Sequence, residues 1–296
     1  MFYRQKIALA LLQEFGGKIE AIDFQKYLFL FCKICQSEPV YEFVPYKYGC
    51  FSFQSYADKR KMIEKGIIAD SKNWELLNCN TSFFDQIKSG DRNKIRKFKA
   101  KFENLKGNDL IQYTYEKYPY WAINSEIVDK ILSKENQQNL KESHPSNTQK
   151  KLYTIGYEGR SFEHYLNQLI INDVRVVCDV RKNPLSRKYG FSKGVLSETL
   201  NKLGIGYIHF PKLGIPSNFR RELSGLNDYK ALFLDYEQEV LQKQISELKK
   251  LISLLDDQKR IALTCFEADI EYCHRNRIAL QLQSMTEFSA SEVAHI

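Results

Sequence analysis

The amino-acid sequence predicts two domains of different class: a mostly helical, winged-helix-like N-terminal domain at 1–132 and an α/β C-terminal domain at 151–296. Three observations lead to this prediction. A chain of 296 residues has the length of about two domains. The segment 133–150 is polar and nearly devoid of apolar side chains, which indicates a linker. After it, strand-like apolar runs alternate with helical patterns, an order typical of a mainly parallel sheet flanked by helices.

The overall composition narrows the class of partner. No apolar run approaches the roughly 20 residues of a membrane span, so a membrane partner is not expected. The net charge of +8 favours an acidic partner, with nucleic acid ahead of a membrane surface. The 7 cysteines are scattered and the N-terminal stretch lacks a signal-peptide cleavage site, which indicates reduced thiols in the cytoplasm. Neither the cofactor nor the oligomeric state follows from the composition.

In the N-terminal half, apolar spacing and breaker residues define the elements. They are, in order, a helix at 2–15, a helix beginning near Asp23, an extended segment at 41–48, a helix at 51–65 and a short strand at 66–68. This order is typical of a winged-helix-like unit. Through FQKYLF at 24–29, YKYG at 46–49 and IEKGII at 63–68, it resembles the SocA-like antitoxin domain, also called Panacea. The resemblance covers about the first 70 residues and implies that this domain binds DNA or a protein partner.

A basic run follows and predicts a nucleic-acid-binding surface on a helix. Its cations are Arg92, Lys94, Arg96, Lys97, Lys99 and Lys101. Ile95, Phe98 and Phe102 form one narrow apolar stripe, and no acidic residue interrupts the run to pair with it. The run is therefore interpreted either as a ridge that binds phosphates or as a solvated helix face. Residues 108–132 are predicted to be largely helical.

The C-terminal half is predicted to contain four strands. The elements are strand 152–155, helix 162–170, strand 174–179, helix 196–203, strand 206–210, a long helix at 237–255 and strand 261–265. In parallel sheets, ligands bind at the carboxyl ends of the strands. The polar side chains that follow these strands are therefore expected to meet at one edge of the sheet.

These side chains form the predicted site. The candidates for catalysis are Glu267, Asp179, His274 and Cys265, and the candidates for ligand binding are Thr154, Tyr157, Glu158, Arg181, Ser186, Arg187, His209 and Arg275. Glu267 is either an acid or base or one half of an ion pair. The arginines suit a phosphate or another anion, or else they pair with nearby carboxylates.

The cysteines allow two further interpretations. Cys265, at the end of a buried strand, is either a small core residue or a nucleophile. Together with Cys273 and His274 it has the donor types of a zinc site, but the spacing lies outside the usual Cys-x-x-Cys pattern. No metal ligand is therefore assigned from the sequence.

Residues 152–285 resemble the domain-of-unknown-function family numbered 488. The matching motifs are TIG at 154–156, DVRKNPLSR at 179–187, GFSK at 190–193, GIGYIH at 204–209, CFE at 265–267 and CHR at 273–275. Two positions depart from the family pattern: Tyr157, where many members have His, and Ile215, where Gly is common. The resemblance implies the fold more than the function, because the activity of the family is not established.

Three functions remain open from the sequence. The first is a hydrolytic enzyme of nuclease or glycosidase type that acts on nucleic acid or a nucleotide, in bacterial defence or DNA processing. The second is a rhodanese-like sulfur-transfer enzyme that carries sulfur on Cys265. The third is a non-catalytic nucleotide sensor or antitoxin-like binding protein.

Overall fold

The computed structural model describes residues 1–77, 81–216, 219, 225–288 and 292–296. The chain divides into two compact units, Met1–His144 and Pro145–Ile296. Within the described residues, no helix combines the length and the apolar character that crossing a bilayer requires.

The N-terminal unit is helical, as predicted. Its helices are α1 (Tyr3–Glu14), α2 (Ala21–Cys35), α3 (Phe53–Glu64), α4 (Ser89–Phe102), α5 (Gly107–Lys117), α6 (Val128–Ile131) and α7 (Lys134–Glu142). Helix α2 lies at the centre, because the four consecutive residues Leu28, Phe29, Leu30 and Phe31, which cover its whole circumference, are fully buried. Two small antiparallel pairs accompany the helices: β1 (Lys18–Ile19) with β4 (Trp74–Glu75), and β2 (Val44–Tyr46) with β3 (Gly49–Phe51).

Two predicted elements of this unit differ from the structure. The segment predicted to be extended over 41–48 turns back as the hairpin of β2 and β3. Gly49 permits this turn, because its φ is +87° and an added Cβ would lie 2.5 Å from the Tyr115 ring. The helical region predicted at 108–132 breaks at Tyr118, whose φ of −138° reflects the exclusion of helical geometry before Pro119.

The segment predicted as a linker at 133–150 is partly folded. Ser133 caps helix α7 by accepting a hydrogen bond from the Asn136 amide, and Leu140 is buried against the unit. One apolar residue on a capped helix is enough to dock an otherwise polar sequence. The division between the two units falls between His144 and Pro145.

The C-terminal unit is an α/β domain with an entirely parallel sheet in its described part, as predicted. Its elements are β5 (Lys151–Gly156), α8 (Phe162–Ile171), β6 (Val176–Asp179), α9 (Lys193–Lys202), β7 (Gly206–His209), α10 (Leu226–Glu239), α11 (Ile245–Gln258), β8 (Arg260–Cys265), α12 (His274–Gln283) and β9 (Val293–His295). The strand order is β7-β6-β8-β5-β9. The central strand β8 therefore ends between the ends of β6 and β5.

Two features of this unit were missed or misassigned from the sequence. The single helix predicted at 237–255 is two helices, α10 and α11, separated by a short 3-10 turn at Leu241–Lys243. Leu241 in this turn is fully buried and continues the apolar spacing, so the pattern runs through the break. The edge strand β9 was not predicted, because three residues are too few to show an alternating pattern.

Candidate functional site

A cleft of about 640 Å³ opens at the carboxyl ends of β6 and β8. The residues that line it are Tyr157, Arg181, Lys182, Asn183, Leu185, Ser186, Arg187, Ile215, Tyr229, Leu232, Phe233, Cys265, Phe266, Glu267, Tyr272 and His274. The position is the one expected for a ligand site in a parallel sheet.

Four chemically active side chains cluster beside this cleft. Cys265 ends β8, Glu267 follows in the loop, and Cys273 and His274 stand at the start of α12. One donor atom from each of the four lies within 4.8 Å of the others. The Cys265 thiol donates a hydrogen bond to Glu267 Oε2 at 3.0 Å, and Cys265 Sγ lies 3.6 Å from His274 Nδ1.

The His274 ring has a defined orientation. Nε2 lies 3.0 Å from the Val180 carbonyl oxygen, which can only accept, so Nε2 carries the proton. In the neutral form of the ring, the lone pair is then on Nδ1, the atom that faces Cys265. The Tyr236 ring packs edge-on against the imidazole at 5.6 Å, and His274 is buried apart from the side that lines the cleft.

The loop that carries Glu267 is held by three hydrogen bonds with the side chains of Arg275 and Glu158. Arg275 donates from Nη1 to the Glu267 carbonyl and from Nη2 to the Ala268 carbonyl, and Glu158 Oε2 accepts from the Ala268 amide at 3.0 Å. Gly156 allows the loop to pass over the end of β5, since a Cβ there would lie 1.8 Å from the Glu267 carbonyl oxygen. Glycine at 156 is thus a steric requirement for the position of Glu267.

The electrostatics of the cluster keep Glu267 ionised. Burial raises the pKa of the carboxyl, but hydrogen bonds from Cys265 and Cys273 and the charge of His274 outweigh this effect, so the pKa lies below its usual value. For Cys273, burial raises the thiol pKa well above the ordinary value, an effect reinforced by Cys265. An anionic carboxylate therefore faces the protonated thiol of Cys273.

Asp179 and Arg181 lie at the carboxyl end of β6 and pair with each other, which is the alternative that the sequence left open for the arginines. The two form a buried ion pair, with Arg181 Nη2 2.5 Å from Asp179 Oδ2, and the carboxylate is inaccessible to solvent. Tyr207 donates to the same carboxylate at 2.7 Å. Asp179 is not among the residues that line the cleft, so it has no access to a substrate there.

Arg181 in turn fixes one wall of the cleft. Its Nη1 donates to the Tyr157 hydroxyl and to the Phe191 carbonyl, both at 2.8 Å. The Tyr157 and Phe191 rings stack at 4.1 Å with an angle of 8° between their planes. Charge pairing with Asp179 and bonding to Tyr157 raise the pKa of the Arg181 guanidinium in spite of the opposing effect of burial. Arg181 thus positions Tyr157, and because it also lines the cleft its ligand-binding role stays a prediction.

The other predicted site residues divide between the cleft and its surroundings. Tyr157, Ser186, Arg187, Cys265, Glu267 and His274 line the cleft. Thr154, Glu158, His209 and Arg275 do not. Thr154 Oγ1 bonds His295 Nδ1 at 2.7 Å on the edge strand, and His209 Nε2 bonds the Arg181 carbonyl at 2.9 Å.

Sequence reasoning missed the aromatic wall of the cleft. Tyr229 from α10 and Tyr272 from the loop before α12 contact each other edge to face at 5.0 Å, and Phe266 is 44% exposed beside them. Tyr229 lies near the start of α10, ahead of the region 237–255 that was predicted to be helical, so no predicted element carried it. Lys182, next to the DVR motif, is exposed and also lines the cleft.

The basic run lies on helix α4 in the N-terminal unit. Ile95, Phe98 and Phe102 are buried, as the apolar stripe predicts. The expectation that no acidic residue pairs with the run is wrong. Arg92 Nη1 lies 3.3 Å from Asp85, and Lys94 Nζ lies 3.7 Å from Asp91. The preceding turn and the first turn of the helix supply these carboxylates.

Comparison with known proteins identifies the C-terminal domain. The family model described as "Domain of unknown function DUF488" matches residues 161–282, within the C-terminal unit. The resemblance predicted from the motifs is confirmed for this half, whereas the SocA-like interpretation of the N-terminal part stays a prediction. Neither curated proteins nor solved structures match the chain.

Proposed function

We propose that the C-terminal unit is a hydrolytic enzyme that acts on a nucleotide or nucleic acid in the cleft beside Glu267. The observation that carries this proposal is the combination of groups lining one cleft. An ionised carboxylate and an imidazole lie at its floor, and the cations Arg187 and Lys182 are exposed at its rim. Acid or base groups next to a cationic rim suit hydrolysis of an anionic substrate.

The aromatic wall supports a nucleotide over a simple phosphate. Tyr229, Tyr272 and Phe266 offer ring surfaces on which a base can stack, which stabilises binding by about 1–3 kcal/mol per base. Arg187 presents a planar, always charged guanidinium that matches phosphate geometry. The volume of about 640 Å³ is within the range of pockets for ligands of nucleotide size.

Glu267 is the residue proposed to contact the reacting atoms. Its carboxylate would accept a proton from the attacking water, while Arg187 would hold the phosphate of the substrate. Asp179 has no part in this step, because Arg181 and Tyr207 occupy its carboxylate.

The test is turnover by the full chain on a panel of nucleoside phosphates and single- and double-stranded oligonucleotides, with products identified by mass spectrometry. Phosphoester and N-glycosidic cleavage give different products. Glu267→Gln should lower kcat/KM at least about 100-fold without changing the melting temperature. Arg187→Ala should mainly raise KM, by about tenfold or more. Glu271→Gln is the matched control, since Glu271 is an exposed carboxylate in the same loop and does not line the cleft.

Two outcomes would count against the proposal. Turnover that survives Glu267→Gln would remove the carboxylate from the mechanism. Nucleotide binding without turnover by the wild-type chain would favour the non-catalytic sensor.

Sulfur transfer is the second candidate, because Cys265 ends the central strand and its side chain lines the cleft. Its first step would be attack of the Cys265 thiolate on thiosulfate, which gives a cysteine persulfide and releases sulfite. Incubation with thiosulfate followed by intact-mass measurement should then add one sulfur atom. The increment should vanish in Cys265→Ser.

A further inference from the structure

We propose that Cys265, Cys273 and His274 bind a divalent metal ion of the zinc class, with a fourth coordination position open to the cleft beside Glu267. The proposal starts from proximity. Their donor atoms, together with a carboxylate oxygen of Glu267, lie within 4.8 Å of one another, and both thiols and the imidazole are buried. Two thiolates and one imidazole are among the ligand sets that hold zinc in enzymes.

The spacing of the donors fits tetrahedral coordination. Bonds of about 2.3 Å to sulfur and about 2.05 Å to nitrogen place two ligands of a tetrahedral centre about 3.6 Å apart. The distance between Cys265 Sγ and His274 Nδ1 is 3.6 Å. Cys265 and Cys273 are separated in the sequence, but their thiols lie close in space because the loop between them folds back over Gly156.

The histidine has the form that a metal ligand requires. Val180 keeps one proton on Nε2, so that in the neutral ring, the form that binds a metal, the Nδ1 lone pair is directed toward the thiols. A hydrogen bond from the distal ring nitrogen to a backbone carbonyl is the usual way in which a metal-binding histidine is oriented. The edge-on ring of Tyr236, which donates to the Leu213 carbonyl, supports the imidazole on another side.

Charge and burial also favour an ion at this place. Binding would displace one proton from each thiol, so that two thiolates, one neutral imidazole and M²⁺ form a neutral unit within the apolar surroundings. Those surroundings include Leu213, Ile278 and Leu282, which are almost fully buried. If Cys265 and Cys273 were only core residues, the Glu267 carboxylate and the His274 Nδ1 atom would have no reason to face their thiols.

The open position links the ion to the proposed hydrolysis, and this part of the inference rests on that proposed function. Cys265, His274 and Glu267 line the cleft, whereas Cys273 does not, so the three protein ligands leave the cleft side open. A water in that position would lie beside the Glu267 carboxylate, which could accept its proton. Three protein ligands with one open position distinguish catalytic zinc sites from structural ones.

The test is metal binding by the full chain, measured apart from activity. The protein is stripped with a chelator and titrated with Co²⁺, then with Zn²⁺ in competition. We expect one Co²⁺ per chain, with the sulfur-to-cobalt charge-transfer band and the intense visible bands of a tetrahedral thiolate site. Binding of Co²⁺ to the stripped protein should release protons, and Zn²⁺ should then displace the cobalt stoichiometrically. Cys273→Ser and His274→Asn should each weaken zinc binding at least about 100-fold, more than loss of a supporting group alone would do.

Two controls separate the metal site from folding and from the proposed function. Cys178→Ala removes another buried thiol of the same sheet, outside the cluster, and should bind zinc like the wild type. Glu267→Gln should retain the cobalt band even where it abolishes turnover. If Co²⁺ gives no charge-transfer band, or if Cys273→Ser binds zinc as tightly as Cys178→Ala while both fold, the site is refuted. The hydrolytic proposal would then still stand on its own test.

Discussion

Arg181 donates two parallel hydrogen bonds to the carboxylate of Asp179, from Nε to Oδ1 at 2.8 Å and from Nη2 to Oδ2 at 2.5 Å. The Arg181 amide also donates to Oδ1 at 3.1 Å, so the pair closes the turn after β6. Such bidentate pairs are the strongest ion pairs in proteins. Both members are shielded from solvent, and Arg181 passes the constraint on to Tyr157 at the wall of the cleft.

Asp179→Asn should therefore destabilise the C-terminal unit rather than only slow a reaction. Removing one partner of a buried ion pair leaves the other charge uncompensated, which costs about 3–5 kcal/mol in the free energy of unfolding. The measurement is urea denaturation followed by circular dichroism and by tryptophan fluorescence. Both tryptophans, Trp74 and Trp121, belong to the N-terminal unit, so the fluorescence transition is an internal reference.

Tyr207→Phe is the graded control for this pair. It removes one hydrogen bond to the Asp179 carboxylate but leaves the ion pair intact, so a loss of about 1.5–3 kcal/mol is expected. If Asp179→Asn unfolds at the same urea concentration as the wild type, the pair is not a stabilising element. Asp179 would then again be a candidate for catalysis.

The basic surface of α4 should bind nucleic acid mainly through its C-terminal half. Lys97, Lys99 and Lys101 lie beyond the ion pairs that Asp85 and Asp91 make at the start of the helix. Replacing all three with alanine should weaken binding to duplex DNA and flatten its dependence on salt. The slope of log K against log salt should fall by about 0.9 for each phosphate that the variant no longer neutralises.

Arg92→Ala is the matched control on the same helix, because Arg92 is already paired with Asp85 and should change the slope least. Binding is measured by fluorescence anisotropy over a range of salt concentrations. A triple variant with the salt slope of the wild type would show that the run is a solvated helix face.

Lys26 should make the stability of the N-terminal unit depend on pH. Its side chain is 1% exposed and donates to the Tyr48 carbonyl. Burial lowers the pKa of the ammonium below 10.5, and Cys50 and Asp23 oppose this only in part. Between the lowered pKa and 10.5 the unfolded chain binds more protons than the folded one, so stability rises with pH across that window.

Lys26→Met should abolish this rise, which amounts to at most about 1.4 kcal/mol per pH unit for one proton. Tryptophan fluorescence reports unfolding of this unit, and the difference between variant and wild type cancels the contributions of other titrating groups. Lys61→Met, at an exposed position of α3, should leave the pH dependence unchanged. A difference curve for Lys26→Met that is flat with pH would contradict the buried-charge interpretation.

The sequence by itself determined the features that depend on local pattern. Apolar runs of four or more residues predicted strands β5, β6 and β8. Their alternation with segments of helical spacing predicted the parallel sheet. The rule that strand ends converge placed Cys265, Glu267 and His274 at one edge, since this follows from topology and needs no side-chain detail. The motifs likewise pointed to the family whose model matches residues 161–282.

Only the tertiary structure decided which polar groups face the cleft and which serve the fold. Asp179 and Glu267 both follow apolar strands, so local sequence cannot tell them apart. Asp179 is neutralised by the guanidinium of Arg181, which comes from the end of the same strand. The guanidinium of Arg275 instead binds backbone carbonyls, so the Glu267 carboxylate faces the thiols and the imidazole. The convergence of Cys265 with Cys273 and His274 depends on a loop that crosses Gly156 in space. Contacts of this kind are set by packing between elements distant in sequence, which no local periodicity encodes.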